Sequence, residues 1–326
     1  MLTAIALCAP VSDHLVRVDR IPGPNEFSRL LEQSWQFGGN AATAVVTVSR
    51  QGVSAGVMGT VGDDLNGRAQ RVDFERHGVD VSHLLVRRGM ITPHCVCLSD
   101  EETNGRSFLI SQDPYFPLTE EELDLDYLLL ARYLLLDDHN PAAKKAARAM
   151  LDKGGEVMFD ASSYSKEQEE MLPYTSIYIT SEFYWKTRYR GADIFECCRD
   201  MKKRGPHTVI FTLGKDGCAG LGPDGREFRM AAPAVPKVVD TTGCGDTFHG
   251  AYIVGMERGL DAEGCARWAS AAAAIKCQAI GGRAAQPTAE MVEEFLKTGR
   301  LDPGFLDERI AYYGSPGELR LTTVLK

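Results

Sequence analysis

Short, fully apolar runs alternate with longer amphipathic segments along this chain, and that alternation narrows its fold to one class. Residues 4–8, 54–58, 133–136, 156–159, 177–180 and 208–212 have the length and composition of buried strands. Residues 41–50, 65–77, 142–153 and 193–203 carry apolar side chains at helical spacing, and the second of these stops at Gly78. Strands that are apolar on both faces need cover on both faces, and helical crossovers make neighbouring strands parallel. The expectation is therefore an α/β protein with a mostly parallel central sheet.

Two stretches break the rhythm. Residues 13–19 with 30–37, and 92–98 with 106–110, read as short hairpin strands, the second pair joined by the polar turn from Ser99 to Gly105. They predict a small β-strand lid, inserted at about 11–37 and 92–111, over the carboxyl ends of the core strands, where open α/β sheets bind ligands. The 326 residues then divide into one domain over 1–300 and a surface-packed tail over 301–326, with an oligomer arm as the second reading of that tail. A net charge of -9 disfavours nucleic acid and membrane surfaces as partners, since both select a basic face. The first residues lack a basic region and break their apolar run early, so they read as a strand rather than a secretory signal. Nine scattered cysteines without a CxxC pair fit a reducing compartment, and cytoplasm is the expected location. Cys95, Cys97, Cys197 and Cys198 are read as buried small hydrophobes rather than metal ligands.

The chemistry concentrates at residues 240–246, DTTGCGD, just before a helix-forming apolar segment. A helix start presents unpaired amides and the positive end of the macrodipole, so a glycine turn feeding it can hold an anion. A carboxylate at the same place would repel that anion unless it served a second reactant. With a nucleotide phosphate over the amides of Gly243, Cys244 and Gly245, Asp246 is placed to accept the proton of an attacking alcohol. The alternative is that Asp246 caps the helix and the glycines merely turn the chain.

The run from Asp240 to Tyr252 resembles the second motif of the ribokinase-like (PfkB) carbohydrate kinase family, DTTGAGDxFxGA, with Cys244 where alanine is usual. Residues 37–43, FGGNAAT, resemble the family's first glycine motif, with Thr43 where asparagine is usual; the resemblance puts Gly38, Gly39, Asn40 and Thr43 against the sugar. Residues 53–67, containing GTVGDDLNG, are similar to the family's helix-strand-loop unit, and Asp13, just after the first strand, matches a carboxylate that holds sugar hydroxyls. Thr212, Gly214 and Gly217 resemble TxGxxG along the nucleotide phosphates, and residues 271–283, including Gly281 and Gly282, resemble the helix and loop beside adenine. Asp240 and Thr242 match positions that serve a monovalent cation. The family's NxxE, tied to Mg²⁺, is replaced by Ser181-Glu182-Phe183-Tyr184, leaving Glu182 to act through water or to be an ordinary surface acid. The resemblance thus implies a ribokinase-like three-layer α/β/α sandwich with a lid, ATP and Mg²⁺ as cofactors with K⁺ as an accessory ion, and a homodimer formed through the lid.

Within the family the motifs most resemble the sulfofructose kinase branch, but the basic groups an anionic sugar requires are missing. Phe27 stands where a lysine is expected, and the strand end reads Asp137-Asp138-His139-Asn140. With Glu26, Asp137 and Asp138 near the sugar end, the expected substrate is a neutral, hydroxyl-rich sugar held by Asp138 and His139. Arg29, Arg87, Arg88 and Arg106 are the groups that could reverse that reading. Trp35, Phe37, Tyr115 and Phe116 keep a nucleoside kinase open as the alternative, and the altered NxxE keeps open a sugar-binding regulatory relative without turnover.

Overall fold

A computed structural model of the chain describes residues 2–103 and 105–313. Thirteen strands form two sheets: β1 (Ala4–Cys8), β2 (Val11–Val18), β3 (Leu30–Gly38), β4 (Ala55–Gly62), β5 (Asp80–Arg87), β6 (His94–Asp100), β7 (Arg106–Ile110), β8 (Tyr133–Leu136), β9 (Glu156–Ala161), β10 (Ile177–Ser181), β11 (Thr208–Thr212), β12 (Cys218–Leu221) and β13 (Glu227–Met230). The helices are α1 (Asn40–Arg50), α2 (Leu65–Arg76), α3 (Leu125–Leu128), α4 (Pro141–Asp152), α5 (Lys166–Glu169), α6 (Glu182–Tyr189), α7 (Ile194–Lys202), α8 (Cys244–Glu257), α9 (Ala262–Lys276), α10 (Ala289–Thr298) and α11 (Pro303–Tyr313).

The large sheet has the order β13-β12-β11-β10-β9-β8-β1-β4-β5. It is parallel from β5 to β11, and only the hairpin β12-β13 at one edge runs antiparallel. One face packs under α1, α2, α8, α9 and α10. The other packs under α3, α4, α6 and α7. This is the three-layer sandwich that the strand patterns imply. Because β1, β8, β9, β10 and β11 are parallel neighbours, their carboxyl ends open on a common side.

The second sheet, β3-β2-β6-β7, is the lid. Both expected hairpins form, and β2 and β6 join them in parallel. Leu15 and Cys97 face inward and meet Ile280 of the core, so one face of the lid is tied down. Phe108, Leu109 and Ile110 on β7 stay exposed. The hairpin strands and the four expected helices, α1, α2, α4 and α7, fall within a few residues of their expected bounds. The half-exposed strand β5 and the short edge strands β12 and β13 have no long apolar run, which is why the strand pattern passes over them. Residues 303–313, read from sequence as part of a tail, form α11 and bury Tyr313; residues 314–326 lie outside the described residues.

Cys95, Cys97, Cys197 and Cys198 are all buried, as small hydrophobes are. Among the described residues, no helix is long and apolar enough to cross a membrane.

Candidate active site

The site forms where α8 begins. Gly243 precedes the helix in the left-handed region (φ 77°), and no side chain caps the first turn. The first-turn amides are therefore left for a ligand. A Cβ at Gly243 would lie 2.6 Å from the Cα of Gly282, so two loops cross here at backbone contact. Above Gly245 the space is open: a Cβ there would meet nothing within 4 Å. Cys244 turns its Sγ toward the Ala273 carbonyl of α9 at 3.5 Å, and its own amide bonds the Thr241 carbonyl at 3.2 Å, while no side chain caps the other amides of the turn.

Asp246, in the same turn, is half-buried and lies among other acids. Burial pushes its carboxyl well up; the charges of Asp160 and Asp137 add to that, and His249 partly offsets it. Asp160, at the end of β9, is buried, pushed up to about 7, and hydrogen-bonded by the Asn40 side chain. Asp137 follows β8, is likewise pushed up to about 7 by burial, and accepts the Ala41 amide at the start of α1 (2.8 Å). His249 is buried on α8, with Nδ1 2.8 Å from the Gly245 carbonyl and 3.5 Å from Asp160. Burial holds its imidazole below the usual range.

Asp13 on β2 is also pushed up to about 7 by burial, with Arg283 opposing and Asp240 adding. The chain at Gly38 runs so close to it that a Cβ there would lie 2.2 Å from Oδ2. Gly39 caps α1, and Asn40 and Thr43 lie on that helix; the buried Oγ1 of Thr43 has no hydrogen-bond partner. The helix therefore presents a free polar atom beside Gly282, where a Cβ would lie 3.7 Å from it. Asp138, by contrast, spends its carboxylate on its own turn. Oδ1 accepts the His139 and Asn140 amides at 2.6 and 3.2 Å, and Oδ2 accepts the Asn140 side chain at 2.7 Å. Of the two neighbouring acids, Asp137 is the one that reaches the start of α1. Glu26 is drawn aside in an exposed pair with Arg20.

On the other side of the α8 turn, Thr212 ends β11 and donates to the Thr180 carbonyl (3.1 Å), and Gly214 and Gly217 bracket the turn into β12. Glu182, first residue of α6, lies next to that turn, with Oε1 3.4 Å from where a Gly214 Cβ would be, and pairs with Lys186. The loop after α9 closes the group. Gly281 (φ 80°) donates its amide to Asp240 Oδ2 (2.8 Å), and any side chain there would collide with Leu15 and Gln36 of the lid. Asp240 Oδ1 accepts the amide and hydroxyl of Thr242 at 2.9 and 2.8 Å.

This geometry has relatives. Over residues 9–289 the sequence matches the pfkB family carbohydrate kinase pattern. The chain belongs to that family. It is 26% identical to ketohexokinase of Mus musculus over 279 residues, which is 82% of this chain and 93% of that protein. It is 25% identical over 303 residues to a nucleoside kinase of Methanothermobacter thermautotrophicus, covering 89% of this chain and 94% of the relative. Ribokinase from Thermotoga maritima superimposes with a TM-score of 0.77 at 24% identity, covering 91% of this chain and all of that one, 100%. Ribokinase of Arabidopsis thaliana, solved with ribose and ATP, gives a TM-score of 0.76 at 22% identity over 91% of this chain and 99% of that chain. The fold is thus ribokinase-like, and the chain is a sugar or nucleoside kinase of the PfkB family.

For this kinase, the structure brings Asp246, Gly243, Cys244, Gly245, Asp240, Thr242, Gly281 and Gly282 together, with Asp13, Gly38, Gly39, Asn40 and Thr43 adjoining. Four participants escape a reading of motifs. Asp160 and His249 have ordinary strand-end and helix surroundings in sequence. Gln36 accepts the Arg283 and Ala284 amides (2.9 and 3.1 Å) and donates to the Ile280 carbonyl (2.7 Å). Lys276 is fully buried behind Asp240. The one available signal is an amide or ammonium group in an otherwise apolar run, as in AAAAIKC.

Proposed function

We propose that this protein transfers the terminal phosphoryl group of ATP to a hydroxyl of a small, neutral, sugar-like alcohol, with Asp246 as the general base. The observation that carries the reading is an uncapped helix start, open above Gly245, with a carboxyl of raised affinity for protons in its first turn. ATP supplies the phosphoryl group, and Mg²⁺ shields its charge. The residues fit both: the amides of Gly243 and Gly245 would take the phosphate, that of Cys244 being shared with the Thr241 carbonyl, with Thr212, Gly214, Gly217, Gly281 and Gly282 along the nucleotide. Glu182, beside Gly214, would hold Mg²⁺ through water.

Asp246 accepts the hydroxyl proton as the new oxygen-phosphorus bond forms. Burial, with the neighbouring acids adding to it, keeps its carboxyl basic enough for that task, whereas an isolated carboxylate would be a weak base at neutral pH. Asp13, Asn40 and Asp137 are placed to hold the alcohol's other hydroxyls, and the lid excludes water over them.

The nucleoside kinase reading keeps one structural support: Tyr115 lies half-buried near Asp137 and Thr60, where an aromatic face could meet a base. Both readings are tested by ATP consumption over a panel of neutral sugars, polyols and nucleosides with Mg²⁺. Turnover with a sugar supports the first reading, and turnover confined to nucleosides replaces it with the second. Binding of sugars without any turnover would leave the non-catalytic relative.

A further inference from the structure

The sequence resemblance implies a monovalent cation beside Asp240 and Thr242, but the residues around them do not fit one. Lys276 is the last residue of α9 and is fully buried, 0% exposed. Its Nζ donates to the backbone carbonyl of Asp240 at 3.0 Å. The carbonyl of the next residue, Cys277, accepts the amides of Val239 and Asp240 at 2.8 and 3.2 Å, so the end of α9 and the extended segment leading to the anion turn are joined beside that ammonium. Asp240 is buried as well, yet its carboxyl is held below the usual range, against the effect of burial, first by the charge of Lys276 and then by the Gly281 and Thr242 amides.

A buried lysine is tolerated only with a partner, and a buried carboxylate only with a counter-charge. Here the ammonium bonds the Asp240 backbone carbonyl rather than the carboxylate, and its charge acts on that carboxylate across the residue. The pair also stands at a junction: one Asp240 oxygen holds Thr242 at the start of the anion turn, and the other holds Gly281 of the crossing loop. Whatever cation neutralises Asp240 therefore fixes the relative position of Gly243 and Gly282. A second cation brought to Asp240 would face an immobile ammonium in a site shielded from water, where like charges repel strongly.

We infer that Lys276 is a built-in replacement for the monovalent cation, a positioning residue whose ammonium holds the anion turn in register, so that nucleotide binding by this kinase does not depend on K⁺. The inference rests on reading that turn as the cradle for ATP phosphates, and the experiment keeps the two apart. Binding of the Mg²⁺ complex of the ATP analogue AMP-PNP is measured by calorimetry in potassium chloride and in N-methylglucamine chloride of equal ionic strength. The wild-type protein is expected to show dissociation constants within about twofold of each other. A tightening of more than about fivefold in K⁺ overturns the inference and leaves the cradle standing. No binding in either salt removes the cradle, and the inference falls with it.

Two variants extend the test. Lys276→Met keeps the length and removes the charge; it should weaken binding by about tenfold or more in both salts. Lys276→Ala leaves room beside Asp240, and K⁺ should then restore part of the lost affinity. Unchanged binding by a folded Lys276→Met in N-methylglucamine overturns the role. If neither variant folds, the wild-type comparison decides alone.

Discussion

Asp246, Asp160 and Asp137 share one corner, and burial raises the proton affinity of each. Replacing Asp246 by Asn keeps the shape and removes the base, so Asp246→Asn should retain nucleotide binding and lose about two to four orders of magnitude in kcat. Retention of more than about a third of the wild-type kcat would show that the base lies elsewhere. Asp137 carries the opposite signature. Its carboxyl is pushed up to about 7 from an ordinary 3.8, so the folded state binds more protons than the unfolded state between those values. Its stabilising contribution is therefore complete below about pH 4 and is lost as pH rises through 7. Asp137→Asn, which still offers an oxygen to the Ala41 amide, should stabilise the free protein at pH 8 relative to pH 5 by at least about 1 kcal/mol. Urea unfolding at the two pH values checks it, and an equal difference at both would show that the carboxyl is not strained. At this scale the sequence is most legible where a side chain's partners are its own neighbours: Asp246 sits in a turn whose glycines spell out the cradle. Asp160 and Lys276 are opaque because their partners, Asn40 with His249 and Asp240, lie tens of residues away.

Among the elements, the lid and the loop after α9 are joined by the hydrogen bonds of one side chain and by packing on Ile280. Gln36, buried on β3, binds three backbone groups of residues 280–284, while Leu15 of β2 packs on Ile280. Gln36→Leu would keep the volume and leave those buried groups unpaired, which costs about 2 to 5 kcal/mol. The variant should melt earlier and show a larger rise in KM for ATP than for the alcohol. A change confined to the alcohol would place the loop of Gly281 and Gly282 away from the nucleotide. The hairpins of the lid are readable from alternation alone, as are the crossover helices from their spacing. Their attachment to the core is not, since a glutamine in an alternating strand looks like any outward polar residue. The helix α11 is hidden for a related reason: Phe305, Leu306 and Tyr313 find their packing partners, and the Tyr313 hydroxyl its bond to Asp73, only in residues distant in sequence.

Across the whole molecule, charge is unevenly placed. Asp13, Asp137, Asp160 and Asp246 gather at the carboxyl ends of the sheet and under the lid, and Arg106 of β7 is the basic group whose charge reaches Asp246. A neutral sugar or polyol should therefore exceed a matched sulfonated or phosphorylated analogue in kcat/KM; a preference of more than about tenfold for the anion would move the substrate site to Arg106. The contact that holds α11 has a consequence in time. The Tyr313 hydroxyl bonds Asp73 (2.8 Å), which forms a fully buried ion pair with Arg283 (2.8 Å), and Arg283 adjoins Gly282 of the crossing loop. During synthesis, residues 1–302 can leave the ribosome and build both sheets while Asp73 and Arg283 still lack the hydroxyl that completes their burial. The loop against the anion turn would thus be held first by Gln36 and Asp240, and the ion pair beside Gly282 would gain its last hydrogen bond only when α11 packs.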